Sequence, residues 1–176
     1  MNRKKQNKKR RGIFLLKIFI YFYFMWKSLS VVGAFGPWIM ATVIVTENII
    51  DGCSYFKIGA FILWQPLNIT INGLLKEIIN QDRPPGSRHV NQLERLIDEG
   101  TKGMPSGHSQ LVGSELLLSL LSNTSFTTKT FMFVQTGLTL YQRWVYKKHT
   151  VMQLIIGFLV GSLYSIMFWF MINSFS

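Results

Sequence analysis

Cysteine is almost absent from this sequence. Its single instance in 176 residues, Cys53, excludes an intrachain disulfide and any cysteine-rich metal centre. Carboxylates are scarce as well, 8 Asp and Glu against 19 Lys and Arg. They nowhere gather with histidine at metal-ligand spacing, so neither a metal nor another cofactor is expected. The surplus of cations does not make a nucleic-acid-binding face either. Seven of them (Arg3, Lys4, Lys5, Lys8, Lys9, Arg10, Arg11) lie in the first eleven residues, and beyond these the excess over carboxylates is only 4. What the chain has in abundance is apolar surface. Hydrophobic residues make up 48% and aromatics 14%, with the charges clustered instead of interspersed. That composition suits a membrane protein better than a soluble one.

Length allows one domain. Residues 1–12 read as a disordered, basic, cytoplasmic tail, either a topology signal or a patch for anionic lipid headgroups, and 13–176 as a single membrane-embedded domain. No small-x-small cleavage pattern follows Phe24-Met25-Trp26-Lys27, so the first apolar stretch is expected to be retained. Six apolar segments follow, at 13–27, 29–48, 56–75, 107–122, 130–146 and 150–172. The second, third and last hold uncharged runs that approach or exceed the ~20 residues needed to cross a bilayer. The first is interrupted by Lys17, and the fifth is short and ends in Arg143. The fold expected is therefore all-α, a polytopic helical bundle of about six transmembrane helices.

Pro37 and Pro66 fall inside segments two and three, where a membrane bundle tolerates kinks. The only long polar stretch is Glu77 to Gly103, and Pro84-Pro85-Gly86 within it is expected to stop the third helix. Val90 to Leu96 has the makings of a short surface helix. Lys and Arg stay cytoplasmic, so the basic tail puts the N-terminus inside. Six crossings then bring the 77–106 loop and the 147–149 corner out together on the opposite face. Asn68-Ile69-Thr70 and Asn123-Thr124-Ser125 match the glycosylation pattern, but the first lies in a membrane segment and the second on the cytoplasmic side.

Chemistry concentrates in Gly103-Met104-Pro105-Ser106-Gly107-His108-Ser109-Gln110, which opens the fourth segment. Pro105 restricts Met104 to extended conformations, Ser106 is a good N-cap, and Gly107 permits close backbone approach. A helix starting here aims its free N–H groups and positive dipole end at one spot, an anion site. His108 stands beside it, able to move a proton near neutral pH. Upstream, Lys76 precedes Arg83-Pro84 by seven positions; downstream, Arg143 precedes His149 by six. Arginine grips phosphoryl oxygens bidentately and lysine adds a point charge. A phosphate ester would thus meet Lys76, Arg83, Arg143 and the backbone amides of Ser106 and Gly107. Phosphoryl transfer is mostly positioning plus neutralisation of charge, which this set supplies without a metal. Glu115, seven residues after His108, lies on nearly the same helix face and either supports the site or pairs with a neighbouring helix.

The trio K-x6-R-P, P-S-G-H and R-x5-H, in this order from about Asn68 to Ile172, resembles the type-2 phosphatidic acid phosphatase superfamily of membrane lipid phosphatases. The resemblance implies that His149 attacks phosphorus to give a phosphohistidine and that His108 protonates the leaving oxygen. It also implies an Asp four residues after the nucleophile, where this sequence has Gln153, and a Ser before the arginine, where it has Gln142. Gln153 can still accept the ring N–H of His149 and so orient the nucleophile, but it cannot stabilise an imidazolium as a carboxylate does. His149-Thr150 followed by Gln153, Gly157 and Gly161 is similar to the dolichyl-diphosphatase subfamily, as is Gly103-Met104-Pro105-Ser106, although Gly107 stands where that subfamily has a second Ser. The implied reaction releases phosphate from a polyisoprenyl (dolichyl) diphosphate at the lumenal face of the endoplasmic reticulum, serving protein glycosylation. Two alternatives remain: a phosphatase for phosphatidic acid or another lipid monophosphate, and an inactive membrane protein that only binds lipid headgroups.

Overall fold

The computed structural model describes residues 20–21, 23–97 and 100–174. The basic tail and most of the first expected segment lie outside them. Among the described residues there are seven helices and no named strand: α1 (Tyr23–Ala34), α2 (Gly36–Ile50), α3 (Tyr55–Ile79), α4 (Gln92–Ile97), α5 (Gly107–Leu121), α6 (Phe126–Val145) and α7 (Val151–Ser174). The architecture is the expected all-helical membrane bundle. Helices α3 and α7 are long and apolar enough to cross a membrane, and α1 with α2 makes a third such stretch bent by 64°. At 15 residues α5 is only ~22 Å long. It is the central helix, packed against α2, α3, α6 and α7, so protein instead of lipid surrounds it and its surface need not be apolar.

Two boundaries differ from expectation. The break between the first two apolar segments comes at Phe35, not near Ser28, because α1 runs unbroken through Lys27. Pro37, in the first turn of α2, removes a donor there and its ring would clash with the carbonyl of Gly33 were α1 to continue straight. The third helix ends at Ile79, before the prolines are reached. Asn80 takes the left-handed conformation (φ 49°) and its N–H closes on Lys76 O, so a local cap stops the helix first. Pro66, by contrast, sits inside α3 without ending it.

The bundle is polar within and apolar outside. Ile62, Leu63, Leu159, Leu163, Met167 and Phe170 are exposed, while Asn68, Asn72, Gln110, Ser114, Glu115 and Ser165 are buried. Several of these buried amides and hydroxyls bond one another, which offsets the cost of removing them from water. Asn72 Nδ2 donates to Gln110 Oε1 (2.8 Å), Gln110 Nε2 to Asn68 Oδ1 (2.7 Å), and Trp64 Nε1 to Ser114 Oγ (3.1 Å). Glu115 accepts from Gln65 Nε2 of α3 at 2.7 Å, so its contact is the neighbouring helix. An apolar cluster of Met40, Ile44, Phe61, Trp64, Val112, Leu116, Met132 and Phe168 fills the other half of the bundle.

Helices α5 and α7 touch backbone to backbone along Gly157, Gly161 and Ser165, one face of α7. A Cβ at Gly161 would stand 1.8 Å from Gln110 O, so no other residue fits there. Ser109 Oγ donates to Leu154 O and Ser165 Oγ to Ser114 O across the same seam. This contact sets the start of α5 directly against the start of α7, where the candidate site lies.

Candidate active site

Ser106 caps α5: its Oγ accepts from Ser109 N, and its backbone is extended (φ −67°, ψ 118°). The helix therefore begins where the sequence indicates. The Met104–Pro105 peptide is cis. One expected ligand changes. The N–H of Ser106 donates to Gln153 O at 3.1 Å, so this amide ties α5 to α7 and is not directed at a phosphate. The Gly107 amide lies in the first helical turn, where no intrahelical acceptor exists.

The polar loop from Asn80 to Gly103 is closed at its base. Arg83 N donates to Thr101 O (3.0 Å), Gly103 N to Gln81 O (2.7 Å), and Asp82 bridges Lys102 through backbone and through a 3.2 Å ion pair. Arg83, half-buried, thus stands on a paired stem, with its Nε 3.5 Å from Lys102 O. Lys76, also half-buried, projects from the last turn of α3 just before the stem.

His149 is 2% exposed, and its Nδ1 lies 3.0 Å from Gly103 O. A carbonyl only accepts, so Nδ1 carries the proton and Nε2 keeps the lone pair. The expected contact between Gln153 and this ring is replaced. Gln153 accepts from Thr150 N through Oε1, and its Nε2 donates to Gln81 Oε1 and Asp82 O, both at 3.0 Å. It also lies directly under Gly103, where an added Cβ would meet its amide at 2.7 Å. The glutamine therefore braces the loop whose carbonyl holds the nucleophile candidate. A carboxylate could not make these two donations.

His108 is buried, with Nε2 at 3.1 Å from Ala34 O at the bend between α1 and α2 and with the Trp38 ring edge-on at 5.3 Å. The Ala34 carbonyl thereby engages Nε2 of the ring. Arg143 is wholly buried in the last turn of α6 and pairs with Glu94 of α4, Nη1 to Oε1 at 2.6 Å. Sequence reasoning missed Glu94. It expected a surface helix near 90–96, whereas α4 turns its carboxylate inward and leaves Leu93 and Leu96 outside, 54% and 73% exposed. Asn91-x-x-Glu94 reads in sequence as an ordinary helix cap, and Asn91 Oδ1 does accept from Glu94 N (2.8 Å), but nothing local reveals the partner 49 residues away. Lys148 and His89 were missed too, and lie 2.6 Å apart, Nζ to Nδ1. Among the described residues no three of His, Cys, Asp and Glu are placed to hold a metal.

The comparisons with known proteins bear on the family and the fold. A family model described as the PAP2 superfamily matches residues 58–175, which contain all three motifs. No curated protein matches the sequence. Among solved structures, the fold is similar to the "first transmembrane PAP2 type phosphatidylglycerolphosphate phosphatase from Bacillus subtilis", with a TM-score of 0.52 at 19% identity, over 92% of this chain and 96% of that one.

Proposed function

The chain belongs to the PAP2 superfamily, and on that footing we propose that it is a phosphatase releasing the terminal phosphate of a polyisoprenyl diphosphate. The observation that carries the reading is the set Gln153, Gly103, His149. The family's usual carboxylate is missing, yet its task has a substitute: a backbone carbonyl fixes the ring, and Gln153 fixes the carbonyl. That favours a working variant over a decayed site, and the His-Thr-x-x-Gln pattern is similar to that of the dolichyl-diphosphatase subfamily.

In the proposed reaction His149 Nε2 attacks the terminal phosphorus while the bond to the bridging oxygen breaks. The lipid monophosphate leaves as His108 gives a proton from Nδ1 to the departing oxygen, which leaves that nitrogen with its lone pair. Water, deprotonated by the same His108 nitrogen, then attacks the phosphohistidine, which restores His149 and releases inorganic phosphate. Lys76, Arg83, Arg143 and the Gly107 amide bind and neutralise the equatorial oxygens. No metal enters this scheme. The site faces away from the cytoplasm, and a lumenal setting in the endoplasmic reticulum follows from the substrate class.

The test is phosphate release by the purified full-length protein from polyprenyl diphosphate, polyprenyl monophosphate and phosphatidic acid in parallel, each with EDTA. Preference for the diphosphate, unaffected by chelation, is expected. Preference for phosphatidic acid would replace the substrate assignment with the monophosphate alternative, and no release from any of the three would leave a headgroup-binding protein. Recovery of a chelated enzyme by magnesium alone would refute the metal-free scheme.

A further inference from the structure

His149 is almost fully buried, and Arg143 and Lys148 are fully so. What covers them is a strap, residues 88–94, fastened at three points to the corner that ends α6. Arg88 N donates to Tyr146 O (3.0 Å), His89 Nδ1 meets Lys148 Nζ (2.6 Å), and Glu94 Oε1 takes Arg143 Nη1 (2.6 Å). The strap is knit internally as well. Glu94 Oε2 accepts from Val90 N, and Asn91 Oδ1 accepts from Glu94 N. One stiff piece therefore presents two acceptors to two buried cations.

Lys148 belongs to none of the three motifs. Its N–H donates to Arg143 O at 2.9 Å, which puts the two cations on one turn immediately before His149. A neutral imidazole offers an ammonium a single lone pair, whereas a phosphoryl oxygen is ionised and a stronger acceptor. A carboxylate on arginine likewise matches the geometry with which arginine binds phosphate. Both strap acceptors thus stand where anionic oxygens would be better bound.

We propose that Lys148 is a further phosphate-binding residue of this site, and that Glu94 and His89 hold Arg143 and Lys148 until the substrate's phosphoryl oxygens replace them and the strap lifts. This rests on the phosphatase reading for the nature of the ligand, and its test is made independent of turnover. Spin labels are placed on the exposed positions Gln92→Cys and Trp144→Cys of the full chain carrying Cys53→Ser, reconstituted in nanodiscs, and the distance distribution is followed as inorganic phosphate is titrated.

Phosphate is expected to move population to a longer distance. Lys148→Met should raise the half-saturating phosphate concentration about tenfold or more, the loss of a charge-assisted hydrogen bond. Lys148→Arg should restore most of the affinity. Methionine keeps the length of the buried chain without its charge, which usually preserves folding; Lys148→Gln serves if it does not. Glu94→Gln should populate the longer distance without phosphate. Unchanged phosphate affinity in Lys148→Met, or one closed distance at every phosphate concentration, would overturn the proposal. A protein that opens with phosphate but hydrolyses no lipid phosphate would refute the proposed reaction and leave this inference standing.

Discussion

The two ends of the bundle differ in how they treat polar groups. At the end away from the motifs, a cavity of about 400 Å³ opens between the ends of α2, α5 and α7 and the start of α3, lined by Asn48, Asp51, Lys57, Asn123 and Asn173 over Phe61 and Trp169. At the motif end Arg143, Lys148 and His149 are enclosed, each with a partner: Arg143 with Glu94, Lys148 with His89, His149 with Gly103. Room alone would select the open end, away from the motifs. Catalysis on a phosphate needs charges already oriented and shielded from water, because dipoles that must reorganise during the reaction give up much of their effect. The open end has volume and solvated side chains; the closed end has orientation.

The largest expected effect breaks this contrast most directly. His149→Ala should reduce phosphate release to background, since no other residue carries the phosphoryl group, while Lys57→Ala in the open cavity should leave kcat/KM within about twofold, as for surface changes generally. Comparable losses from both would mean that the chemistry had been assigned to the wrong end. Next comes His108→Ala, for which a loss of roughly 10² to 10⁴ is expected on a lipid monophosphate, whose alkoxide needs the proton. A diphosphate, leaving as a lipid phosphate, should lose less. Equal losses on both substrates would remove His108 from leaving-group protonation.

A smaller effect sharpens the account of the closed end. Gln153→Asp forfeits two donations to the loop stem, each worth about 1 kcal/mol, so turnover should fall on the order of tenfold to thirtyfold. A gain in activity would show instead that the glutamine is a degraded aspartate. The last measurement leaves catalysis untouched. Cysteines at Gln92 and Asn123 in a Cys53→Ser background should label from opposite sides of sealed vesicles, with Gln92 on the side away from the cytoplasm; same-side labelling would cancel the orientation.

Much of the closed end was legible in sequence because its markers are local. Ser106 announces the start of α5, and the spacings to Arg83 and His149 identify the pieces that meet there. The segments that hold α2, α3 and α7 also stood out, as long runs without charge. What escaped was settled by tertiary contact. Gln153 was expected on the ring of His149, and the decision went instead to a carbonyl 46 residues back in the chain. Glu94 and Lys148 escaped because each has its partner in a distant segment, and no periodicity records such a pairing. The stop at Asn80 escaped for a smaller reason: the conspicuous prolines drew attention past an asparagine that tolerates the left-handed conformation.

Helix α4 has its leucines on the outside and its carboxylate within, the reverse of a helix lying in water. For a substrate whose hydrocarbon tail never leaves the bilayer, that reversal bears on the route of arrival. Leu93 and Leu96 share the outer side with Gln92 and Arg95, a mixed apolar and polar surface; on the proposed function, an acyl or prenyl chain would lie along the leucines while the charged head moves inward.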